Sequence, residues 1–294
     1  QQADSYEDDY SQSQCEADGL SAVPATLLIC LCGLVGNGAV LWLLGPRVCR
    51  NPIAIYVLNL AVADFTFLFS VTVALMIFYG PRSFCHRLGS RNAMAALNIA
   101  IIFAFTASTY LLATLSARTS LPALPRSRCP CHRSWHCPVL LCALLWLLAL
   151  LLTLTLPFSP VVLVIFVLSY LLSVLILILS ALTLFAKILC CSWQYPPRKL
   201  CVVVLVIVVS FPLFTADFSY WLLLRLFDFS VLVFDTSLLF ACMNSCIKPV
   251  IYLLAGSCTM KFTVSVRAAC QSAFEDITEP ENRDGTPRES TVET

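Results

Sequence analysis

Between Asp18 and Glu275 the chain has four acidic residues, Asp64, Asp217, Asp228 and Asp235. The other thirteen of its seventeen acids lie at the two ends. Charged residues of either sign make up only 12% of the 294 residues, against about 25% in soluble domains. That shortage excludes an ordinary soluble globular fold. Histidine is scarce as well: His86, His132 and His136 fall in loops or at a helix start. No nucleophile, base and acid come together around them, so the chain is not expected to be an enzyme. No N-x-S/T sequon occurs, so no N-glycan is expected. The segment "CPCHRSWHC" (Cys129 to Cys137) has zinc-like spacing but opens a helix at a basic loop, and neither a metal nor a cofactor is assigned.

What the chain has instead is apolar length. Hydrophobic residues make up 59% and the mean hydropathy is +0.86. A membrane-spanning helix needs ~20 mostly apolar residues. Ser21 to Gly45 is uncharged, Ile53 to Tyr79 holds only Asp64, and Asn92 to Ala117 is uncharged. Pro138 to Ala186 is uncharged over 49 residues, about two spans, and the break is expected at "LPFSP" (Leu156 to Pro160), where two prolines punctuate it. Leu200 to Leu224 holds Asp217, and Phe229 to Leu254 holds Asp235 and Lys248. The fold class expected is an all-α membrane protein, a seven-transmembrane helix bundle.

An odd number of spans puts the two ends on opposite sides. With the N-terminus outside, the cytoplasmic segments hold eleven Lys and Arg (Arg47, Arg50, Arg118, Arg126, Arg128, Arg133, Lys187, Arg198, Lys199, Lys261, Arg267). The opposite loops hold four, Arg82, Arg87, Arg91 and Arg225. The positive-inside bias therefore predicts an extracellular N-terminus. No signal peptide is read ahead of the first span. The expected organisation is an extracellular acidic tail (1–20), the bundle (21–254), an amphipathic helix on the inner leaflet (255–274) and a disordered cytoplasmic tail (275–294). The amphipathic helix rests on Phe262, Val266, Ala269, Cys270 and Ala273 at helical spacing, with Lys261 and Arg267 off that stripe.

Several short motifs sit at fixed places on these spans. "GNGAV" (Gly36 to Val40) lies in the first and "LAVAD" (Leu60 to Asp64) in the second. Arg118 ends the third, Trp146 lies in the fourth, Pro212 in the sixth, and "PVIY" (Pro249 to Tyr252) ends the seventh. These resemble the signatures of rhodopsin-like receptors. More narrowly, "LCGLVGNGAVLWLL", "RNPIAIYVLNLAVAD" and "CALLW" resemble Mas-related G-protein-coupled receptors, and the resemblance runs from about Leu28 to the tail. It implies a plasma-membrane receptor of rhodopsin-like type that answers a cationic or peptide ligand and activates heterotrimeric G proteins. Arg118 and Tyr252 would serve coupling, Ser210 and Pro212 would form the activation hinge, and receptor kinase and arrestin would be further partners at Thr286, Ser290, Thr291 and Thr294.

The chain also departs from that pattern. Ala117 stands where relatives have the acid that holds the third-helix arginine, and the cytoplasmic loops contain no Asp or Glu. Ser210 replaces the usual sixth-helix tryptophan. "LPFSP" leaves a second extracellular loop with no cysteine, so neither of the disulfides usual in relatives can form in it. These departures keep a second reading open, a non-coupling scaffold or partner of other receptors. A transporter would show internal repeats and broken helices, and neither is seen.

Lys248 is the oddest residue, a cation inside an apolar run. Intramembrane ions are expensive and usually paired. Asp64 lies eleven residues past Ile53, hence ~16 Å deep, and Lys248 six residues before Leu254, hence ~9 Å deep from the same side. Helical side chains lean toward their own N-terminus, which carries Lys248 toward Asp64 and away from the headgroups to which it would otherwise snorkel. In most rhodopsin-like receptors the position of Asp64 helps hold a sodium ion together with a third-helix hydroxyl. Counted back from Arg118, that hydroxyl is replaced by Ala107. The expectation is that the Lys248 ammonium takes the place of sodium, with Asn37 and Asn244 as hydrogen-bonding neighbours.

On the outer face, Asp217 lies near Phe214, Tyr220 and Trp221. An acid among aromatics suits a cationic ligand, and Asp235 is a second acid nearby. Pairing with Arg225 is the alternative for Asp217, and a favourable helix-start acid the alternative for Asp235. In "DSYEDDYSQSQ" (Asp4 to Gln14), Tyr6 and Tyr10 among acids suit sulfation, or the stretch is simply a solvated tail. Cys15 and Cys85 are the candidate extracellular disulfide. Cys190, Cys191 and Cys270, near the inner face, are candidates for palmitoylation.

Overall fold

The computed structural model describes residues 3–45, 52–79, 91–121, 136–190, 198–228 and 236–257. Seven α-helices cross in turn: α1 Ala3–Leu44, α2 Pro52–Tyr79, α3 Arg91–Ser120, α4 His136–Thr155, α5 Pro160–Cys190, α6 Arg198–Asp228 and α7 Thr236–Ser257. Each contains a stretch long and apolar enough to span a bilayer, and the described residues contain no strand. In hydrocarbon every backbone donor and acceptor must be satisfied inside the segment, which is why the apolar runs become helices.

The break in the long uncharged run falls at a 3-10 turn, Leu156–Phe158, between α4 and α5. Pro160 opens α5, where its missing N–H leaves no donor unsatisfied. The Ser159 carbonyl accepts from the amides of Val162 (3.1 Å) and Leu163 (3.3 Å), closing the first turn. At the other extreme, α1 continues beyond its span to Ala3, so residues 3–20, expected as a tail, are helical.

α3 is the centre of the bundle and packs on α2, α4, α5 and α6. Its span is 72% buried, against 28% for those of α4 and α5. The leucines that α4 and α5 leave exposed, such as Leu144, Leu151, Leu168 and Leu175, form a lipid-facing surface, as expected where solvent is hydrocarbon.

The two glycines of "GNG" do different work. A Cβ at Gly36 would lie 3.1 Å from Pro249 Cβ and 3.3 Å from its Cγ, so α1 meets α7 there at backbone range. At Gly38 the nearest atom is Phe65 Cε2 at an ordinary 3.8 Å. The proline ring cannot swing aside. Gly36→Ala is therefore expected to destabilise by about 1–3 kcal/mol. Gly38→Ala is expected to be neutral or to gain up to about 1 kcal/mol from helix propensity. Thermal unfolding of the purified variants checks the contrast.

Candidate functional site

The polar centre is built on three helices. Asp64 (α2) and Lys248 (α7) are each 1% exposed and form a buried ion pair. Lys248 Nζ donates to Asp64 Oδ1 at 2.8 Å, to Asp64 Oδ2 at 2.9 Å and to Ser108 Oγ of α3 at 3.1 Å. The ammonium's three protons thus have three acceptors. The carboxylate also accepts from Ser108 Oγ at 2.9 Å and Ser245 Oγ at 3.1 Å, both at Oδ1. The cluster is electrically neutral and its members satisfy one another, which is what a low-dielectric interior demands.

Two expectations need correction. The third-helix hydroxyl is not missing: Ser108, next after Ala107, supplies it. The resemblance fixed the count but not the exact rotation of α3, and one helical step of about 100° separates the two side chains. Among the described residues the hydrogen bonds of Asn37 go elsewhere than to the pair. Pro249 has no N–H, so the carbonyl four residues earlier, that of Ser245, loses its helical donor. Asn37 Nδ2 supplies one from α1, donating to Ser245 O at 3.1 Å and to Gly33 O at 2.9 Å. Asn37 therefore ties α1 to the proline of α7 rather than to the charges. Asn244 is 3% exposed, and its Oδ1 has no partner among the described residues.

Sodium does not fit this arrangement. A lysine nitrogen lies against both carboxylate oxygens and one of the two serine hydroxyls, so an added cation would meet a like charge at hydrogen-bond range.

At one end of the bundle Arg118 is exposed in the last turn of α3, and Tyr56 of α2 is buried. Tyr252 is buried in α7. In α6, Pro212 lies inside a continuous helix and Ser210 Oγ donates back to Ile207 O at 2.9 Å. A proline that removes one ladder bond and a serine that competes for the next carbonyl weaken the same turn.

The face that α6 sends into the bundle is Phe211, Thr215, Phe218 and Leu222. Phe218 packs edge-on to Phe105 with centroids 4.9 Å apart. Phe214 is half-buried, whereas Asp217 and Tyr220 lie on the exposed side of α6. Asp217 is thus not gathered with the inward aromatics. The side chain of Trp221, and Asp235 altogether, lie outside the described residues, as do Cys85, Cys191, Cys270 and residues 258–294. The side chains of Cys15 and Cys190 are likewise outside them.

Sequence reasoning missed Ser108 and Ser245. Ser245 carried a signal, since it stands three residues before Lys248 on the same face of α7.

No protein-family model matches the chain. Whole-chain similarity is clear nonetheless. Mas-related G-protein coupled receptor member B4 of Mus musculus is 32% identical, covering 91% of this chain and 88% of the relative. Member D of Homo sapiens is 35% identical, covering 79% and 77%. Member X2 of Homo sapiens is 31% identical, covering 95% and 90%. With seven spanning helices and that coverage, the chain belongs to the Mas-related family of G-protein-coupled receptors.

Proposed function

We propose that this receptor stands in the plasma membrane with its N-terminus outside, and that its Arg118 end meets a heterotrimeric G protein. The observation that carries this is an exposed arginine closing the central helix of a seven-helix bundle, at the end where lysine and arginine concentrate. Tyr252 supports the same face. An agonist, cationic or peptidic, engages the opposite end around Asp217, Phe214, Tyr220, Trp221 and Asp235, and tilts α6 at the weakened turn of Ser210 and Pro212. Receptor kinase and arrestin act on the acidic tail, and 255–274 lies on the inner leaflet. Within the family, "CLCGLVGNG", Asp217 and "NSCIKPVIYLLAG" look most like the branch called member F.

A second reading has its own support. Ala117 and the four-residue link 156–159 suit a partner of other receptors that does not itself couple. Basal G-protein activation in cells, at matched surface expression, separates the two. Arg118→Ala is expected to abolish a signal that wild type gives over mock cells. Silence in both would favour the non-coupling partner.

A further inference from the structure

We propose that the Arg118 end of α3 is latched by neutral and cationic groups, with Lys187 of α5 as its positioning residue. A helix ends with carbonyls that lack helical donors and with a partial negative charge. In α3 the Thr119 carbonyl is one of these, and Lys187 Nζ donates to it at 3.3 Å. Lys187 is half-buried and also stands in the last turn of α5. One ammonium therefore serves the negative ends of two helices at once. Next along α3, Ser120 Oγ donates to Ser180 Oγ at 3.4 Å, and both serines are buried. Residues 119 and 120 are thus held in succession, both to α5.

Among the described residues no carboxylate takes part. Of the four acids between Asp18 and Glu275, Asp64 is committed to Lys248, and Asp217, Asp228 and Asp235 belong to the opposite end of α6 and the segment after it. The latch is one of single hydrogen bonds and one shared charge, each an interaction of about threefold to tenfold in an equilibrium. Such a latch opens without breaking an ion pair, which favours an easily released resting state.

This proposal rests on the coupling role of Arg118, and the experiment keeps the two apart. Full-length wild type, Lys187→Met, Lys187→Arg and Arg118→Ala are compared for basal G-protein activation at matched surface expression. Lys187→Met is expected to raise it about threefold to tenfold. Lys187→Arg, which keeps charge and donors, is expected to match wild type. An unchanged signal in Lys187→Met, or the same rise in Lys187→Arg, overturns the latch. If no protein differs from Arg118→Ala, the coupling reading fails. Hydrogen exchange on the purified proteins then decides the latch alone. Faster exchange over 184–190 in Lys187→Met than in Lys187→Arg upholds it, and equal rates overturn it.

Discussion

Lys248→Met alone is expected to destabilise the protein by about 3–5 kcal/mol, and Asp64→Asn with Lys248→Met together to recover most of that loss. The asymmetry follows from burial. Both partners are 1% exposed, so removing the ammonium leaves a carboxylate with two serine hydroxyls and no counter-charge. Removing both charges leaves a neutral amide that Ser108 and Ser245 can still donate to, beside an apolar chain of similar volume. Buried pairs often prove no better than such neutral replacements, while half a pair is costly. Thermal unfolding in lipid nanodiscs over the full double-mutant cycle measures the coupling directly. A Lys248→Met variant as stable as wild type would show that the pair contributes nothing.

Exchanging potassium for sodium at constant ionic strength is expected to leave the unfolding temperature of wild type unchanged. Lys248→Ala is expected to gain a sodium-specific rise, because Asp64, Ser108 and Ser245 then present oxygens around a vacated volume. At tenfold excess over its Kd, a bound ion contributes about 1.4 kcal/mol by mass action. Sodium-specific stabilisation of wild type would contradict the tethered-cation reading outright.

How much of this was legible before the structure differs by residue. The spans were plain, since charge is so sparse that each apolar run ends where a basic loop begins. The break at Leu156–Phe158 was plain because prolines flank it. Lys248 and Asp64 were legible as partners because a bundle with so few internal charges leaves little choice. Ser108 was not, because the resemblance supplied a position number while contact depends on how far α3 is rotated. The exposed side of Asp217 was not, because α6 is apolar nearly all round and its pattern marks no inward face. Lys187 was not, because a long side chain reaching across helices obeys packing rather than spacing. Gly36 was legible as a signature, but its reason, the ring of Pro249, was visible only in three dimensions.

The Lys248–Asp64 pair also fixes how the receptor relates to membrane voltage. A free ion bound at mid-membrane moves a full charge through the field when it enters or leaves, worth about 2.3 kcal/mol per 100 mV for a complete crossing. Here the cation is bonded to α7 and its counter-charge to α2, so rearrangement of the two displaces a dipole with no net charge. Depolarisation then has no free ion to pull on at this pair.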